Sequence, residues 1–408
     1  MSAVNECGKS AGFGAHFFSS TVASDRLRTA KEGQRFIRRL QRRSPGQSTV
    51  MGCGGHRVDD LPAEFEDCMI RFIDGYCWWP LRFVLLISLL CIGCRGGFLG
   101  KGNPEFEDVQ QKLLEGVFTP QDAPPEYILL DGYPVEYQEA IGAGIDVARK
   151  FLGNHGPVRV YILGKSRGEV GTTDSRAAFV EQYCGPRNKS TIEGFDEDCL
   201  AGPGQRLIDA AIRGDQEAYL SIVIFTDPPY AELVFINSHE WGEQDMPLRG
   251  IHEYTHVFQH QYPSAPGWLT EGGAVFFEAW LGDQNQWVDF RGAMRRSMKN
   301  ALTAVADEKG LSDMEYLLDL PQEMEAYHRN IAYDMGAWAV AFIIANSSEK
   351  SISEFRDRFY PSMRDEGWKE AVSRFTGSRD LGHFYSRFDE FLQQSSHQQM
   401  ELLDAIQP

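Results

Sequence analysis

A short apolar run over residues 78–94 (WWPLRFVLLISLLCIGC) divides this chain of 408 residues into two parts of opposite charge. Basic side chains outnumber acidic ones before the run, whereas acidic side chains dominate after it and set the net charge of the whole chain at −18. The run is shorter than the roughly 20 residues of a transmembrane helix, but its apolar core over residues 83–92 suits a secretory signal. The sequence therefore predicts that the folded protein is built from the residues after Cys94.

The run ends in LCIGC, which resembles the lipobox of bacterial lipoproteins, where a small residue precedes the cysteine that is lipidated. We expect residues 69–94 to be a lipoprotein leader with Cys94 as the lipidated residue; a plain signal peptide, a membrane anchor and a buried core segment are the alternatives. Residues 1–68 are rich in Gly, Ser and Arg, and we expect a disordered or mis-assigned N-terminal extension there, or a basic cytoplasmic tail. Export would place residues 95–408 on the extracytoplasmic side of the cell envelope, tethered to the membrane by lipid or by an N-terminal anchor.

The composition excludes several classes of protein. Because 42% of the residues are apolar, the chain can bury a hydrophobic core, and a disordered protein is excluded. The excess of acidic side chains argues against binding to nucleic acid, whose phosphate backbone requires surfaces rich in Lys and Arg. After Cys94 only Cys184 and Cys199 remain, so a cysteine-ligated zinc site is excluded, and these two cysteines are expected to pair in an oxidising compartment.

The pattern of apolar residues changes along the exported part from alternating elements to helices. Helices are predicted over residues 135–151, 176–184 and 204–213, and strands over residues 157–163, 220–225 and 232–237. Nearly everything after residue 247 is predicted to be helical, and this order is typical of an α+β fold. We expect a tether over residues 95–130, an α/β upper lobe over residues 131–262, a helical lower lobe over residues 263–395 and a tail over residues 396–408.

The motif that carries chemistry is HEYTH at residues 252–256, an H-E-x-x-H pattern on a predicted helix. His252 and His256 lie four residues apart and project from one face of that helix, so both imidazoles can bind one zinc ion while Glu253 lies beside it. The segment WLTEGGA follows a turn and begins a second, antiparallel helix, which brings Glu271 back towards the histidines. Two histidines and one glutamate, with a fourth position open for water, are the ligands of a catalytic zinc site.

This active-site segment, HEYTH followed by WLTEGGAVFFE, resembles the gluzincin zinc metallopeptidases, most closely the Peptidase MA-like family, and is also similar to bacterial collagenases. The resemblance implies a two-lobed fold, in which a mixed β-sheet lobe carries the active-site helix and is followed by an all-helical lobe. It implies one Zn²⁺ ion bound by His252, His256 and Glu271, with Glu253 as the general base. The implied activity is hydrolysis of peptide bonds in a peptide or protein substrate by zinc-activated water.

The resemblance also points to residues outside the ligand set. Tyr333, in the segment AYDMGAW, matches the family's tyrosine and is the expected donor to the oxyanion, with His328 behind it; a core aromatic is the alternative. Gluzincins commonly carry a polar or acidic residue four positions after the glutamate ligand, where this chain has Val275. Glu278 is therefore the candidate partner for a histidine ligand, and it is also the rival third ligand.

The strand over residues 232–237 has two interpretations. At the edge of the sheet it would hold substrate by main-chain pairing, and otherwise it is an internal strand. Two alternative functions also stay open besides the metallopeptidase. One is a catalytically inactive binding module of the cell envelope that keeps the gluzincin fold, and the other is a zinc amidase that acts on a non-protein substrate such as peptidoglycan.

Overall fold

The computed structural model describes residues 119–408, except for residues 121, 131, 165–169, 188–198, 224–225, 227, 243, 263–264 and 316–319. The expected N-terminal extension, the expected leader and most of the expected tether lie outside the described residues. Strands β1 to β6 span Thr119–Pro120, Glu126–Leu129, His155–Gly156, Val158–Leu163, Glu217–Val223 and Tyr230–Ile236. Helices α1 to α6 span Val135–Leu152, Thr173–Arg187, Pro203–Arg213, Asp245–Gln259, Gly267–Gln284 and Phe290–Ala306. Helices α7 to α12 span Gly336–Asn346, Ile352–Glu354, Tyr360–Glu366, Trp368–Phe375, Leu381–Leu392 and Ser396–Asp404, and two π-helices span Arg329–Met335 and Phe355–Phe359.

Four strands form a mixed sheet in the order β2-β4-β6-β5, in which β2, β4 and β6 are parallel and β5 is antiparallel to β6. Both faces of this sheet are covered. Val160 and Ile162 of β4 belong to the main core with α1 and α4, whereas Tyr161 and Leu163 belong to a second core with α2 and α3. Burial on both faces explains the uninterrupted apolar sequence of β4. The fold is thus a mixed α+β fold, as the sequence predicted.

Three expectations about the sheet and the ends of the chain are corrected by this arrangement. Strand β6 lies between β4 and β5, so the interpretation of residues 232–237 as a sheet edge is wrong, and β5 is the strand at that edge. Strand β2 pairs with β4 along its whole length, so residues 126–129 are not part of a tether. Residues 396–404 form helix α12, in which Met400 and Leu403 are buried, rather than a tail. The elements that these segments pair with or pack against are distant in sequence, and the local spacing of apolar residues does not indicate such contacts.

Helices α5 and α7 are the central helices of the helical part. Helix α7 is apolar on all sides, α5 is mostly apolar apart from a few acidic residues, and the indole rings of Trp268 in α5 and Trp338 in α7 are fully buried. A helix without a polar face must be enclosed by other elements. Helix α5 packs against α4 on one side and against α7 and the first π-helix on the other. It therefore connects the helix that carries HEYTH with the segment that carries Tyr333.

Cys184, in α2, and Cys199 form a disulfide bond, which confirms the pairing predicted from the sequence. The bond closes a loop with a sequence separation of 15 residues, and a cross-link over a loop of that size stabilises a protein by about 3 kcal/mol in the chain-entropy model. No helix within the described ranges is both long enough and apolar enough to cross a membrane.

Candidate metal centre

Helices α4 and α5 bring the three predicted ligands together. Helix α4 carries His252 and His256 on one face, and α5 runs back alongside it with Glu271 near its N-terminal end. One ligand atom from each of these residues lies within 4.8 Å of the other two. In the described part of the chain, this is the one group of three or more His, Cys, Asp or Glu side chains that could hold a metal ion.

The carboxylate of Glu271 is aimed between the two imidazole rings. Its Oε2 atom lies 3.5 Å from Nε2 of His252 and 3.5 Å from Nε2 of His256. This oxygen is buried and takes part in no hydrogen bond with the described residues. A buried carboxylate oxygen without a partner is costly in free energy. An oxygen and two imidazole nitrogens that face one another in this way form a ligand set for a cation.

A second carboxylate orients the ring of His252. The Nδ1 atom of His252 donates a hydrogen bond of 3.0 Å to Oε2 of Glu278, two turns after Glu271 on α5. Because Nδ1 carries the proton in this bond, Nε2 of the neutral ring keeps its lone pair for the centre. Glu278 therefore contacts the outer nitrogen of His252, which is the position of a ligand-orienting partner rather than that of a third ligand.

Gln259 orients the ring of His256 in the way that Glu278 orients the ring of His252. Its Oε1 atom accepts a hydrogen bond of 2.8 Å from Nδ1 of His256. The amide orientation follows from its other contacts, since Nε2 of Gln259 donates to the carbonyl oxygen of Thr270 at 2.8 Å and to the hydroxyl of Tyr360 at 3.2 Å. Sequence reasoning missed Gln259, although a polar residue three positions after His256 lies on the same helix face and is the signal that could have identified it.

Glu253 is buried in the wall of the centre, with 4% of its surface exposed. Burial raises the pKa of this carboxyl group above its ordinary value, although the nearby imidazoles of His252 and His256 lower it. A carboxylate whose pKa moves towards neutral pH is better suited to accept and return a proton than one that stays fully ionised.

The charges around the two histidines favour a cation at the centre. Burial alone would lower the pKa of His252, but its interactions with Glu271 and Glu278 raise that pKa to about 10. Burial raises the pKa of Glu271, but the imidazoles of His256 and His252 lower it by more, so this carboxyl group stays ionised. The raised pKa of His252 reports the negative charge of the two carboxylates beside it, which a bound cation would neutralise, whereas the lowered pKa of Glu271 reports the positive charge that the imidazoles place beside it.

Tyr333, on the first π-helix, lies beside the ligand His252. Its ring is parallel to that of His252, with a centroid separation of 6.0 Å, and the ring of His328 meets its edge at 5.5 Å. Burial, followed by the negative charges of Glu271 and Glu253, raises the pKa of Tyr333 well above its ordinary value, so the hydroxyl stays protonated. Tyr333 is therefore a partly buried aromatic residue whose hydroxyl lies beside the predicted ligands.

Two pairs of glycines set the distances between the helices that carry these residues. A Cβ atom on Gly272 of α5 would lie 2.1 Å from the backbone of Gly336, which directly follows the π-helix. A Cβ atom on Gly250 of α4 would lie 2.3 Å from the carbonyl oxygen of Ile141 in α1, close to Gly144. Only glycine fits such backbone contacts. The close contact of Gly272 with Gly336 brings the Tyr333 segment against α5.

The structure brings together every residue that the sequence analysis proposed for the site. His252, His256 and Glu271 converge, Glu253 and Tyr333 line the same space, His328 and Glu278 stand behind them, and Gln259 is added to the set. Such a set can bind a divalent cation, exchange a proton at Glu253 and donate a hydrogen bond from Tyr333. The chain matches no family model, no curated protein and no solved structure.

Proposed function

We propose that this protein is a zinc-dependent metallopeptidase of the gluzincin type, with the two-lobed architecture that its active-site segment implies. The sheet with α1 to α4 would form the upper lobe, and the helices from α5 onwards would form the lower lobe. The observation that carries the proposal is the convergence of His252, His256 and Glu271, in which the buried Oε2 of Glu271 lies 3.5 Å from Nε2 of each histidine.

The donor set fits zinc. Two neutral imidazole nitrogens and one carboxylate oxygen are the ligands of catalytic zinc sites, which keep a further position for water or substrate. The Nδ1 contacts of His252 and His256 support the fit, because both leave Nε2 available. Lewis acidity, which polarises a carbonyl group and makes water a stronger acid, is what zinc would supply at this position.

The chain's own residues would carry out the proton transfers. Glu253 would accept the proton of the attacking water and return it to the leaving nitrogen of the scissile amide. The protonated hydroxyl of Tyr333 would donate a hydrogen bond to the carbonyl oxygen as negative charge develops on it. His328, which contacts the edge of the Tyr333 ring, would keep that ring in place.

The proposal includes a location and a substrate class. A peptide or protein substrate follows from the resemblance of HEYTH and WLTEGGAVFFE to the gluzincins. A position on the extracytoplasmic side of the cell envelope, tethered by lipid or by an N-terminal anchor, is supported by the lipobox-like ending at Cys94. The disulfide between Cys184 and Cys199 is consistent with it, since disulfides persist in oxidising compartments.

The test is zinc content and peptide cleavage, measured on the same preparations of the full-length protein, His256→Ala and Glu253→Ala. We expect one zinc ion per chain in the parent, loss of zinc in His256→Ala, and retained zinc with at least about 100-fold slower cleavage in Glu253→Ala. A parent that binds no zinc under metal-replete conditions would overturn the proposal and favour an envelope binding module. Bound zinc without peptide cleavage would overturn the peptidase and direct the search to amides such as peptidoglycan cross-links.

A further inference from the structure

Arg249 lies one helical turn before the predicted catalytic residues of α4. It precedes His252 by three residues and Glu253 by four, so it shares the helix face that carries the centre. Its side chain is 29% exposed, and its Nη1 atom lies 3.5 Å from Oε2 of Glu278. The guanidinium forms no hydrogen bond within the part of the chain that the structure describes.

Other shielded arginines of this chain are held by close polar contacts. The Nη2 atom of Arg187 lies 2.6 Å from the buried carboxylate of Glu232. Arg387 donates to the carbonyl oxygen of Thr376 at 2.5 Å and to the side chain of Asn346 at 2.7 Å. These contacts show that Arg187 and Arg387 each stabilise the fold by binding other parts of the chain. Among the described residues, Arg249 has only the 3.5 Å contact with Glu278, so its N–H groups can donate to a further acceptor.

The acidic neighbours of Arg249 stabilise its charge, and within the described ranges none of them accepts a hydrogen bond from the guanidinium. The negative charges that favour its protonated form are those of Glu278, Glu253 and Asp245. Glu278 already accepts the hydrogen bond from Nδ1 of His252. A positive charge held beside Glu253, partly shielded from water and with open donors, is the arrangement of an anion-binding group.

We propose that Arg249 binds a carboxylate group of the substrate within one or two residues of the scissile bond, a role that rests on the proposed peptidase function. Arg249 precedes the centre by about one helical turn, which rises about 5.4 Å, and one residue of an extended peptide spans about 3.3 Å. The carboxylate that Arg249 binds therefore lies within one or two residues of the scissile bond. A guanidinium presents paired donors that match the two oxygens of a carboxylate. The carboxylate is that of an acidic side chain or the C-terminal group of the substrate.

The experiment uses matched peptide libraries and the zinc-loaded full-length protein. Two acetylated, amidated hexapeptide libraries carry Glu or Gln at one central position and are otherwise identical, and a third is the Gln library with a free C-terminal carboxylate. The values of kcat/KM are compared between the parent, Arg249→Met and Arg249→Lys. Binding of the same libraries is measured on Glu253→Gln and on Glu253→Gln with Arg249→Met, where cleavage does not interfere.

We expect the parent to prefer a carboxylate-bearing library by about tenfold or more, and Arg249→Met to lose that preference while Arg249→Lys keeps part of it. Preference for the Glu library would identify an acidic side chain as the group that is bound, and preference for the free C-terminus would identify the terminal carboxylate. Equal ratios in the parent and in Arg249→Met would overturn the role of Arg249 and leave the peptidase proposal standing.

A matched control separates recognition from support of the centre. Gln259→Leu removes the hydrogen-bond acceptor of His256 without changing a charge that acts on Arg249, so it should lower kcat/KM for all libraries by a similar factor and leave the ratio between them unchanged. Binding that depends on Arg249 without cleavage of any library would overturn the proposed peptidase while the carboxylate site stands. The two proposals therefore fail in different experiments.

Discussion

The Nδ1 atom of His252 lies 3.0 Å from Oε2 of Glu278, although 26 residues separate the two along the chain. The contact exists because α4 and α5 lie side by side, so residues two turns after Glu271 face the outer nitrogen of His252. It orients the ring whose other nitrogen faces Glu271. Glu278 therefore supplies the orienting partner that Val275, four positions after Glu271, does not supply.

Replacing Glu278 should weaken zinc binding without removing a ligand. We expect Glu278→Ala to lower the zinc affinity by about 10- to 100-fold, because the ring of His252 loses the acceptor that sets its tautomer and orientation. Competition with a chromophoric chelator measures this affinity. Gln259→Leu should have an effect of similar size through His256, whereas an unchanged affinity in both variants would show that these contacts do not orient the ligands.

Replacing the hydroxyl of Tyr333 should slow the chemical step. We expect Tyr333→Phe to reduce kcat by about 100- to 1,000-fold with little change in KM or zinc content, because the donor to the developing oxyanion is lost while the ring remains. Steady-state kinetics on a cleaved peptide, with metal analysis of the same sample, provides the measurement. A kcat equal to that of the parent would assign Tyr333 to the alternative role of a core aromatic.

Adding a methyl group at Gly272 should destabilise the protein. Its Cβ would lie 2.1 Å from the backbone of Gly336, and backbone atoms of two packed helices cannot move apart cheaply. We expect Gly272→Ala to lower the free energy of unfolding by about 1–3 kcal/mol or more, measured by urea denaturation. The control is Gly382→Ala in α11, where the closest contact of the new Cβ is 3.4 Å and the helix should gain up to about 1 kcal/mol. Equal effects of the two substitutions would refute the close approach.

The stabilising effect of Glu354 should depend on pH. Burial alone would raise the pKa of this carboxyl group, but hydrogen bonds from Ser347, Ser348 and the backbone of Glu349, together with Arg358, lower it below its ordinary value. A carboxyl group with a depressed folded-state pKa stabilises the protein above its unfolded-state pKa and loses this effect as the pH falls through the folded-state pKa.

We therefore expect Glu354→Gln to be less stable than the parent at pH 7, by about 1–3 kcal/mol, because a buried group with charged hydrogen bonds is neutralised. The difference between the two proteins should begin to shrink as the pH falls below about 4.5, the ordinary pKa of the group, and disappear as the pH falls through the lower folded-state pKa. Urea denaturation of both proteins between pH 3 and pH 7 measures it. A difference that stays constant over this range would contradict the shifted pKa.

The local parts of the fold and of the site could be predicted from the sequence. The spacing of His252 and His256 is the period of a helix, so their common face needs no tertiary information. The turn after α4 returns the chain, which accounts for the prediction of Glu271. Strands β4, β5 and β6 and the helices α1 to α3 were predicted within a few residues of their observed bounds, whereas β2 was not predicted, and the disulfide followed because two cysteines remained.

Contacts between residues that are more than one or two helical turns apart in sequence were decided by tertiary packing. The contact of Gln259 with Tyr360 joins residues 101 positions apart, and no local pattern indicates it. The backbone contact of Gly272 with Gly336, which brings the Tyr333 segment against α5, is of the same kind. The order of the sheet, with β6 inside and β5 at the edge, also depends on which strand pairs with β4.

The sequence by itself determined which residue types stand at helical spacing, because the period of a helix is a property of the backbone. Only the tertiary structure decided that Glu278 orients His252 rather than acting as a third ligand, because Glu278 reaches His252 through the way that α4 and α5 pack. It also decided that Arg249 of α4 lies 3.5 Å from Glu278 of α5. Packing energy is summed over many distant contacts, and a one-dimensional pattern does not contain that sum.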